Sequence, residues 1–364
     1  MDFELSEDQS LVLESVKKLA LELKKTAAER EARAQLDGAA ARALAELGLY
    51  GLTAPVDAGG SGLPLTTGCL VIEALARHDP AVAWALAVHL CGAVPLFSSV
   101  GAPLDPLLEA PVTLALFEAD RLHPERITTR AEVVGTGFVL HGHKPWVTLG
   151  TQDAPVWVLA LAPDGPSLFR VEAQAPGLSR SPITSALGLR GAGFAHLDFA
   201  GAPAQRIGHP LPAGWSGLLE PYRLGMAAVA LGLGRASLEE ARAYALERRQ
   251  FNQPIADFQA IQWMLADLAT EHDGALLLTL AAASQVEAGN ISDGRAARAK
   301  VRAVEAAVQA AMKAIQIFGG NGYVREYPVE RQLRDATTLA GLPPAREPDR
   351  SAVFQGVFQD IGLR

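Results

Sequence analysis

The pattern of hydrophobic and polar positions divides the chain into a helical part, a strand-rich part and a second helical part. The first helix is predicted to begin at Ser6, because Ser6 and Gln9 fit a capping box and a mixed amphipathic repeat follows from Leu11. Helices are predicted to about residue 110, with a loop at residues 55–62. Asp79-Pro80 predicts another helix start, because proline is favoured in the first helical turn.

Strand patterns occupy the middle of the chain, where the composition shifts to Val, Thr, Phe, Trp, Gly and Pro. Residues 131–140 predict a hairpin and residues 156–161 predict a buried strand, so a small β-barrel fits this part. After Gly214 long Ala- and Leu-rich helices return, as in a four-helix bundle. We therefore predict an α+β protein with an N-terminal helical domain (1–110), a β-barrel domain (111–212) and a C-terminal helical bundle (213–364).

Composition narrows the class of protein. The chain has 364 residues, is 49% hydrophobic and carries a formal net charge of −8, so it can bury several cores. The acidic balance argues against nucleic acid as the main partner, because Lys and Arg dominate phosphate neutralisation. The acidic start of the chain lacks the basic segment of a signal peptide. Cys69 and Cys91 suit a reduced compartment without disulfides or a metal cluster. We expect a cytoplasmic protein.

The longest apolar run, roughly residues 81–97, contains His89 and Pro95. It is at the short end for a membrane span, which needs about 20 apolar residues. We therefore predict a buried core helix and no membrane span.

A glycine-dense turn follows an Ala-rich helix near the C-terminus, at Gln316-Ile317-Phe318-Gly319-Gly320-Asn321-Gly322-Tyr323. Glycine tolerates positive φ and lets backbone N–H groups approach a phosphate. Gln316, in the last helical turn, can hydrogen-bond a ligand held there. By itself this turn is only weak evidence for a phosphate-binding site.

Together with a second segment, residues 244–262 (Tyr-Ala-Leu-Glu-Arg-Arg-Gln-Phe-Asn-Gln-Pro-Ile-Ala-Asp-Phe-Gln-Ala-Ile-Gln), and with Arg334-Asp335-Ala336, the turn resembles the acyl-CoA dehydrogenase family of FAD-dependent flavoproteins. The resemblance covers nearly the whole chain and implies the same helix, barrel and helix architecture. It implies oxidation of an acyl-CoA thioester or a related substrate, and a possible electron-transfer flavoprotein as partner.

The resemblance also implies which residues contact FAD. Trp146 would flank the flavin rings and Thr148 would hydrogen-bond flavin N5, although barrel packing and β-propensity are the alternatives. Arg248 would pair with the pyrophosphate, because a guanidinium donates two bonds at once. The full cofactor set is Leu116, Trp146, Thr148, Arg248, Phe251, Gln259, Gln316, Gly319 and Gly320. In the family the adenosine end is completed by a neighbouring subunit, so a homodimer or homotetramer is expected.

One departure from the family pattern lies in the flavin loop. The usual Thr-Glu-Pro sequence and the Gly-Ser-Asp-type residues after it are replaced by Leu116-Phe117-Glu118-Ala119-Asp120-Arg121-Leu122-His123-Pro124. Phe117 cannot donate the hydroxyl that the threonine offers to the flavin edge. We therefore expect weaker binding of FAD or an altered reduction potential of the flavin.

A second departure lies at the catalytic base. Where most members carry a glutamate this chain has Pro343, which cannot accept a proton. Some members place the base on the first bundle helix instead, where this chain has Tyr222 beside the matching Arg223. A phenol with a pKa near 10 is a poor base.

Three carboxylates near these positions are weak base candidates: Glu220, Glu347 and Asp349. Glu220 is two residues from the Tyr222 position and would face away on a helix. Solvated surface carboxylates are the alternative for all three. The catalytic residue thus stays unknown.

Other patterns point to structure rather than chemistry. His141 and His143 have the spacing of a metal pair, but no third ligand is in view and a strand-turn segment is the better interpretation. Gly232-Leu233-Gly234 follows no strand, so close helix packing explains it better than a dinucleotide fingerprint. His78 and His89 are expected on a helix surface or in a core.

Three functions stay open at this point. The leading one is oxidation of a CoA thioester or related acyl substrate. A flavin-dependent oxygenase or oxidase on the same fold, and a non-catalytic FAD- or CoA-binding paralogue, are the alternatives. A carboxylate in the pocket that faces the flavin favours dehydrogenation, and an apolar pocket favours the other two.

Overall fold

The computed structural model describes residues 4–119, 126–212, 215–290 and 294–360. The helices of its first part are α1 Glu7–Lys24, α2 Ala27–Arg33, α3 Gly38–Glu46, α4 Leu65–Ala76, α5 Pro80–Val88, α6 Val94–Ser99 and α7 Asp105–Leu108. The capping box predicted at the start of α1 is confirmed, because Ser6 and Gln9 exchange hydrogen bonds between side chain and backbone. Asp79 caps α5, with Pro80 in its first turn.

The long apolar run is a core element, as predicted. α5 continues through a π-helical turn, His89–Ala93, into α6. The stretch Pro80–Ser99 is long and apolar enough to cross a membrane, by length and composition alone. However, 89% of its most apolar segment is buried inside the protein, as in a core helix. Both cysteines are free and buried near this core.

The middle strands close into a barrel. They are β1 Thr113–Ala115, β2 Arg130–Val134, β3 Gly137–Val147, β4 Val156–Ala162, β5 Gly165–Val171, β6 Leu178–Pro182 and β7 Ala195–Ile207. β2, β3, β7, β5 and β4 pair in that order, and β4 pairs again with β2, which completes the ring. The barrel encloses its own apolar core around Leu140, Val158, Phe169 and Leu197. The predicted hairpin corresponds to β2 and β3, and the predicted buried strand to β4.

The last part is again helical. Its elements are α8 Leu219–Glu247, a two-stranded ribbon of β8 Arg249–Gln250 and β9 Gln253–Pro254, α9 Gln259–Glu287, α10 Arg295–Phe318, α11 Val329–Gly341 and α12 Arg346–Asp360. Gly232 allows α8 to pack closely on α4, because a Cβ there would lie 2.4 Å from the Glu73 carbonyl oxygen. The helix-packing interpretation of Gly232-Leu233-Gly234 is therefore confirmed. His89 is fully buried, and its Nε2 lies 3.1 Å from the Tyr50 carbonyl oxygen.

A buried carboxyl joins α11 to the segment before β7. Asp335 Oδ1 accepts a hydrogen bond of 2.6 Å from the Leu189 N–H. Burial raises the pKa of Asp335 to about 7, more than the Leu189 hydrogen bond lowers it. The folded protein therefore holds a proton between about pH 4 and pH 7 that the unfolded chain releases. The contribution of Asp335 to stability consequently falls as the pH rises through this window.

We expect Asp335→Asn to be more stable than the wild type at pH 8 and to lose this advantage at pH 4. Asparagine keeps an acceptor for Leu189 but has no charge to bury. Urea denaturation at pH 4, 6 and 8 measures the difference, with Asp57→Asn, at an exposed position, as the control. An unchanged pH dependence in Asp335→Asn would show that the buried carboxyl does not control it.

Candidate active site

A small cavity lies where the N-terminal helices, the barrel and the start of α8 meet. It has a volume of about 20 Å³ and brings Leu116, Trp146 and Thr148 together with Tyr222 and Pro343. The other lining residues are Trp84, Val88, Leu114, Phe117, Pro145, Val147 and Leu342. Among the residues that the structure describes, those lining the cavity include no carboxylate.

Thr148 is buried at the end of β3, and its side-chain oxygen is already engaged. The Trp84 indole Nε1 donates a hydrogen bond of 2.9 Å to Thr148 Oγ1. A hydroxyl that accepts from an N–H still has its own proton to donate. Trp146 is half-buried and packs edge-on against Phe194, with ring centroids 5.6 Å apart. The two side chains predicted to face a flavin therefore line one cavity, with a hydroxyl donor among them.

The first residues of the altered loop are held by a buried ion pair. Lys144 Nζ lies 2.7 Å from Glu118 Oε1 and also donates to the Leu116 carbonyl oxygen at 3.0 Å. Burial raises the pKa of Glu118, but Lys144 and the hydrogen bonds from Thr128 and Thr129 lower it further, so the net pKa is below its usual value. Sequence patterns missed this pair, because nothing in the strand sequence marks Lys144 as buried.

Phe117 turns into the cavity rather than away from it. Its ring centroid lies 5.2 Å from that of Tyr222 in an edge-on arrangement. Five residues of the altered loop lie outside the described residues: Asp120, Arg121, Leu122, His123 and Pro124.

The weak base candidates do not line the cavity. Glu220 contacts the Arg223 guanidinium, and Asp349 Oδ1 accepts from Arg223 Nε at 2.7 Å. Both carboxylates are buried, so their interpretation as solvated surface groups is wrong. Glu347 is exposed, as that alternative predicts. Tyr222 is a poor base here, because burial raises its pKa far above the usual value.

The same ion pairs hold the loop that carries Pro343. Lys300 Nζ contacts Asp349 Oδ2 and the Pro344 carbonyl oxygen, and the Lys300 side chain is buried. Arg223, Lys300, Glu220 and Asp349 together carry two positive and two negative charges. This buried network fixes α12 and the Pro343 loop against α8 and α10.

The remaining predicted cofactor residues lie at the other end of α8. Arg248 is the C-cap of α8, while Tyr222 is in its first turn. α8 has 29 residues and is about 43 Å long at about 1.5 Å per residue. The predicted cofactor residues near this distal end are all exposed: Arg248, Phe251, Gln259, Gln316, Gly319 and Gly320. One chain therefore presents the two predicted groups of cofactor residues at well separated places.

Packed aromatic rings shape the glycine-dense turn at this distal end. Tyr244 stacks on Phe318 with ring centroids 4.1 Å apart, and Asn321 Nδ2 donates to the Tyr244 hydroxyl at 3.0 Å. Gly319 has a φ of +60°, which other residues adopt at a cost. The Ala-rich helix α10 ends at Phe318 and the glycine-dense turn follows it, as predicted.

The barrel histidines form no metal site in the part of the chain that the structure describes. Within it, no group of three His, Cys, Asp or Glu side chains is placed to hold an ion. His141 and His143 lie inside β3, and His143 Nδ1 is 2.6 Å from Asp198 Oδ1. A larger cavity of about 450 Å³ borders α10 and α12, but its Lys300 and Asp349 are paired with each other.

Comparison with known proteins places these features in a family. The family description "Acyl-CoA dehydrogenase, N-terminal domain" matches residues 6–103, and "Acyl-CoA dehydrogenase, C-terminal domain" matches residues 215–341. The chain is 34% identical over 361 residues to the protein named probable acyl-CoA dehydrogenase YngJ of Bacillus subtilis (strain 168), covering 93% of this chain and 95% of that protein.

The chain belongs to the acyl-CoA dehydrogenase family.

Another relative of this acyl-CoA dehydrogenase-like chain is the 3-sulfinopropanoyl-CoA desulfinase of Paraburkholderia xenovorans (strain LB400). It is 34% identical over 371 residues and covers 93% of each chain. Among solved structures, butyryl-CoA dehydrogenase from Megasphaera elsdenii superposes with a TM-score of 0.90, at 27% identity over 98% of this chain and 100% of that chain. The predicted fold class, with helical domains on either side of a barrel, is confirmed. The chain therefore belongs to a family of enzymes that are flavin oxidoreductases.

Proposed function

We propose that this protein binds FAD and acts as a flavin-dependent oxidoreductase on a CoA thioester or a related acyl substrate. The observation that supports it most is the convergence of Leu116, Trp146 and Thr148 with Pro343 at one cavity. The donor chemistry fits a flavin, because the Thr148 hydroxyl has a proton to donate while Trp84 occupies its oxygen. Bound FAD supplies the hydride-accepting chemistry, and Trp146 and Thr148 hold its ring system.

The nucleotide end of the cofactor is proposed to contact Arg248, Phe251, Gln259, Gln316, Gly319 and Gly320 of a second copy. α8, about 43 Å long, separates these residues from the cavity by more than the length of an FAD molecule. Phe251 is 88% exposed in the single chain, as a residue that covers a partner's ligand would be. A homodimer or homotetramer follows from this arrangement.

Ordinary α,β-dehydrogenation is proposed to be slow in this protein. The reaction needs a base for the α-proton, and the cavity-lining residues that the structure describes include no carboxylate. Glu220 forms an ion pair with Arg223, and Asp349 forms ion pairs with both Arg223 and Lys300. The described residues around the cavity thus position the flavin, and none of them supplies a carboxylate at the Pro343 position.

The apolar lining favours a second candidate, a flavin-dependent oxidase or oxygenase, for which no such base is required. A non-catalytic FAD- or CoA-binding role is compatible with the same lining. One relative at 34% identity is named as a desulfinase, so the family includes members whose named reaction is not a dehydrogenation.

A visible absorption spectrum followed by anaerobic titration with CoA thioesters tests the proposal. Yellow protein that is bleached slowly supports the leading function. Rapid oxygen consumption with the same thioesters would favour the oxidase, and bleached protein reoxidised by an electron-transfer flavoprotein would identify the proposed partner. Protein that stays colourless with excess FAD, with no shift in melting temperature, would contradict FAD binding.

Arg248→Ala is expected to weaken FAD binding by roughly tenfold to a hundredfold. A hydrogen bond to a charged group contributes about 1.5–3 kcal/mol, and about 1.4 kcal/mol corresponds to tenfold in affinity. Fluorescence titration of FAD measures the change. Arg249→Ala is the matched control, because Arg249 donates to the Asn252 carbonyl oxygen instead.

Sedimentation of the flavin-loaded protein tests the shared site in the same preparations. A dimer or tetramer at micromolar concentration is expected. A monomer that binds FAD tightly, or an affinity loss in Arg249→Ala but not in Arg248→Ala, would contradict the assignment.

A further inference from the structure

We propose that Lys144 is a positioning residue for the flavin site. Its ammonium group holds the backbone of Leu116 from inside the barrel, and its place in β3 directly precedes the bulge that turns Trp146 towards the cavity. The inference rests on the proposed binding of FAD. It assigns a role to a residue that is not among the described residues lining the cavity.

Lys144 is a buried charge within a barrel whose core is otherwise apolar. Its side chain is 0% exposed, and its Nζ donates to Glu118 Oε1 at 2.7 Å and to the Leu116 carbonyl oxygen at 3.0 Å. Apolar side chains of similar volume often replace a buried ion pair without loss of stability. Packing alone therefore does not account for a lysine at this position.

The partner carboxylate is itself held firmly. Glu118 Oε1 accepts hydrogen bonds from the backbone N–H groups of Thr128 and Thr129, at 3.2 and 3.1 Å. Its Oε2 accepts from the hydroxyls of the same two threonines. Glu118 is thus fixed to the segment that leads into β2, and Lys144 connects it to the Leu116 backbone.

The hydrogen bond to Leu116 fixes a peptide unit at the wall of the cavity. Leu116 and Phe117 both line the cavity, and the peptide unit between them contains the carbonyl that Lys144 contacts. Because a trans peptide unit is planar, its C=O and N–H groups point in opposite directions. Holding the carbonyl therefore also holds the Phe117 N–H. Phe117 has no side-chain donor, so at this position only the backbone can donate a hydrogen bond to a flavin.

The same lysine precedes the bulge that directs Trp146. Lys144 points into the barrel, and strict alternation along β3 would send Trp146 inward as well. Lys144 pairs with Leu197 in β7. The next pair, Val147 with Ala195, lies three residues further along β3 but two residues away in β7, which marks a β-bulge. Val147 consequently joins the barrel core, and Trp146 lines the cavity.

Trp146 adopts a strained backbone conformation at this bulge. Its φ is +53°, which is uncommon for a residue other than glycine. Such strain persists only where the surrounding structure fixes it, and the two contacts of Lys144 anchor the start of the bulge. Lys144 thus orders two segments that carry predicted flavin contacts before a flavin binds. Without it, ordering them would reduce the affinity for FAD.

Measuring FAD affinity and stability separately tests this role. Lys144→Met cannot donate to Leu116 and leaves the Glu118 carboxylate unpaired, so we expect a lower urea midpoint without added FAD. We expect FAD binding to weaken about tenfold, the low end of what a hydrogen bond from a charged group contributes. Lys144→Met combined with Glu118→Gln removes both charges. In this double variant the midpoint should recover, while FAD binding should stay about tenfold weaker.

Arg30→Met is the matched control, because Arg30 is also a buried cation and its Nη2 lies 2.6 Å from Asp79 in the N-terminal helices. We expect it to lower the urea midpoint and to leave the FAD affinity within about threefold of the wild type. An equal loss of affinity in Arg30→Met, or wild-type affinity in the double variant, would overturn the role of Lys144. Because the double variant buries no unpaired charge, it decides the question even if Lys144→Met does not fold. Wild-type protein that binds no FAD would instead contradict the proposed function.

Discussion

Pro343→Glu combined with Pro344→Gly is expected to raise the rate of anaerobic flavin bleaching by an acyl-CoA about 10²–10⁴-fold over the wild type. General-base catalysis typically contributes this factor, and Pro343 lines the cavity with Leu116, Trp146 and Thr148. A glutamate there would place a proton acceptor beside the reacting groups. Pro344→Gly frees the backbone and keeps the carbonyl oxygen that Lys300 contacts.

The matched control is Pro343→Gln with the same glycine, which has the shape of glutamate but cannot act as the base. Stopped-flow absorbance at the flavin band measures both variants under the same conditions. Equal rates for the Glu and Gln variants would show that a missing base does not limit the reaction. Rapid wild-type turnover that Glu220→Gln abolishes would instead place the base on α8.

The second large effect is expected on stability, where Asp349→Ala should lower the free energy of unfolding by about 3–5 kcal/mol. Removing one partner of a buried ion pair leaves an uncompensated charge, and such changes cost this much. Asp349 is fully buried, and its two oxygens contact Arg223 and Lys300. Burial already lowers the pKa of Lys300, and losing Asp349 would lower it further.

Urea denaturation of Asp349→Ala and of Glu347→Ala measures the effect, with Glu347 as the exposed carboxylate on the same helix. We expect less than about 0.5 kcal/mol for Glu347→Ala, as for most surface changes. Asp349→Asn provides a functional comparison. A large loss of bleaching rate in Asp349→Asn with unchanged stability would mean that Asp349 acts in the chemistry rather than in the ion-pair network.

The sequence by itself determined the local features of this protein. The capping box at Ser6, the start of α5 at Asp79-Pro80, the β2–β3 hairpin and the turn at Gly319 were all predicted and are present. Each depends on residues a few positions apart, whose conformational preferences act wherever the segment lies. The family resemblance added the architecture and the positions proposed to contact FAD.

Only the tertiary structure decided which side chains meet. Trp84 and Thr148 are 64 residues apart, and Arg223 and Asp349 are 126 apart, so no local pattern predicts their hydrogen bonds. For the same reason the sequence pattern suggests a surface carboxylate at Asp349, whereas in the fold Asp349 is buried and paired with Arg223 and Lys300. The edge-on contacts of the Tyr222 ring with Trp84 and Phe117 are likewise not predictable from the sequence, because the three rings come from α8, α5 and the loop after β1. Packing between distant elements sets the burial and charge of a site, and those properties govern its chemistry.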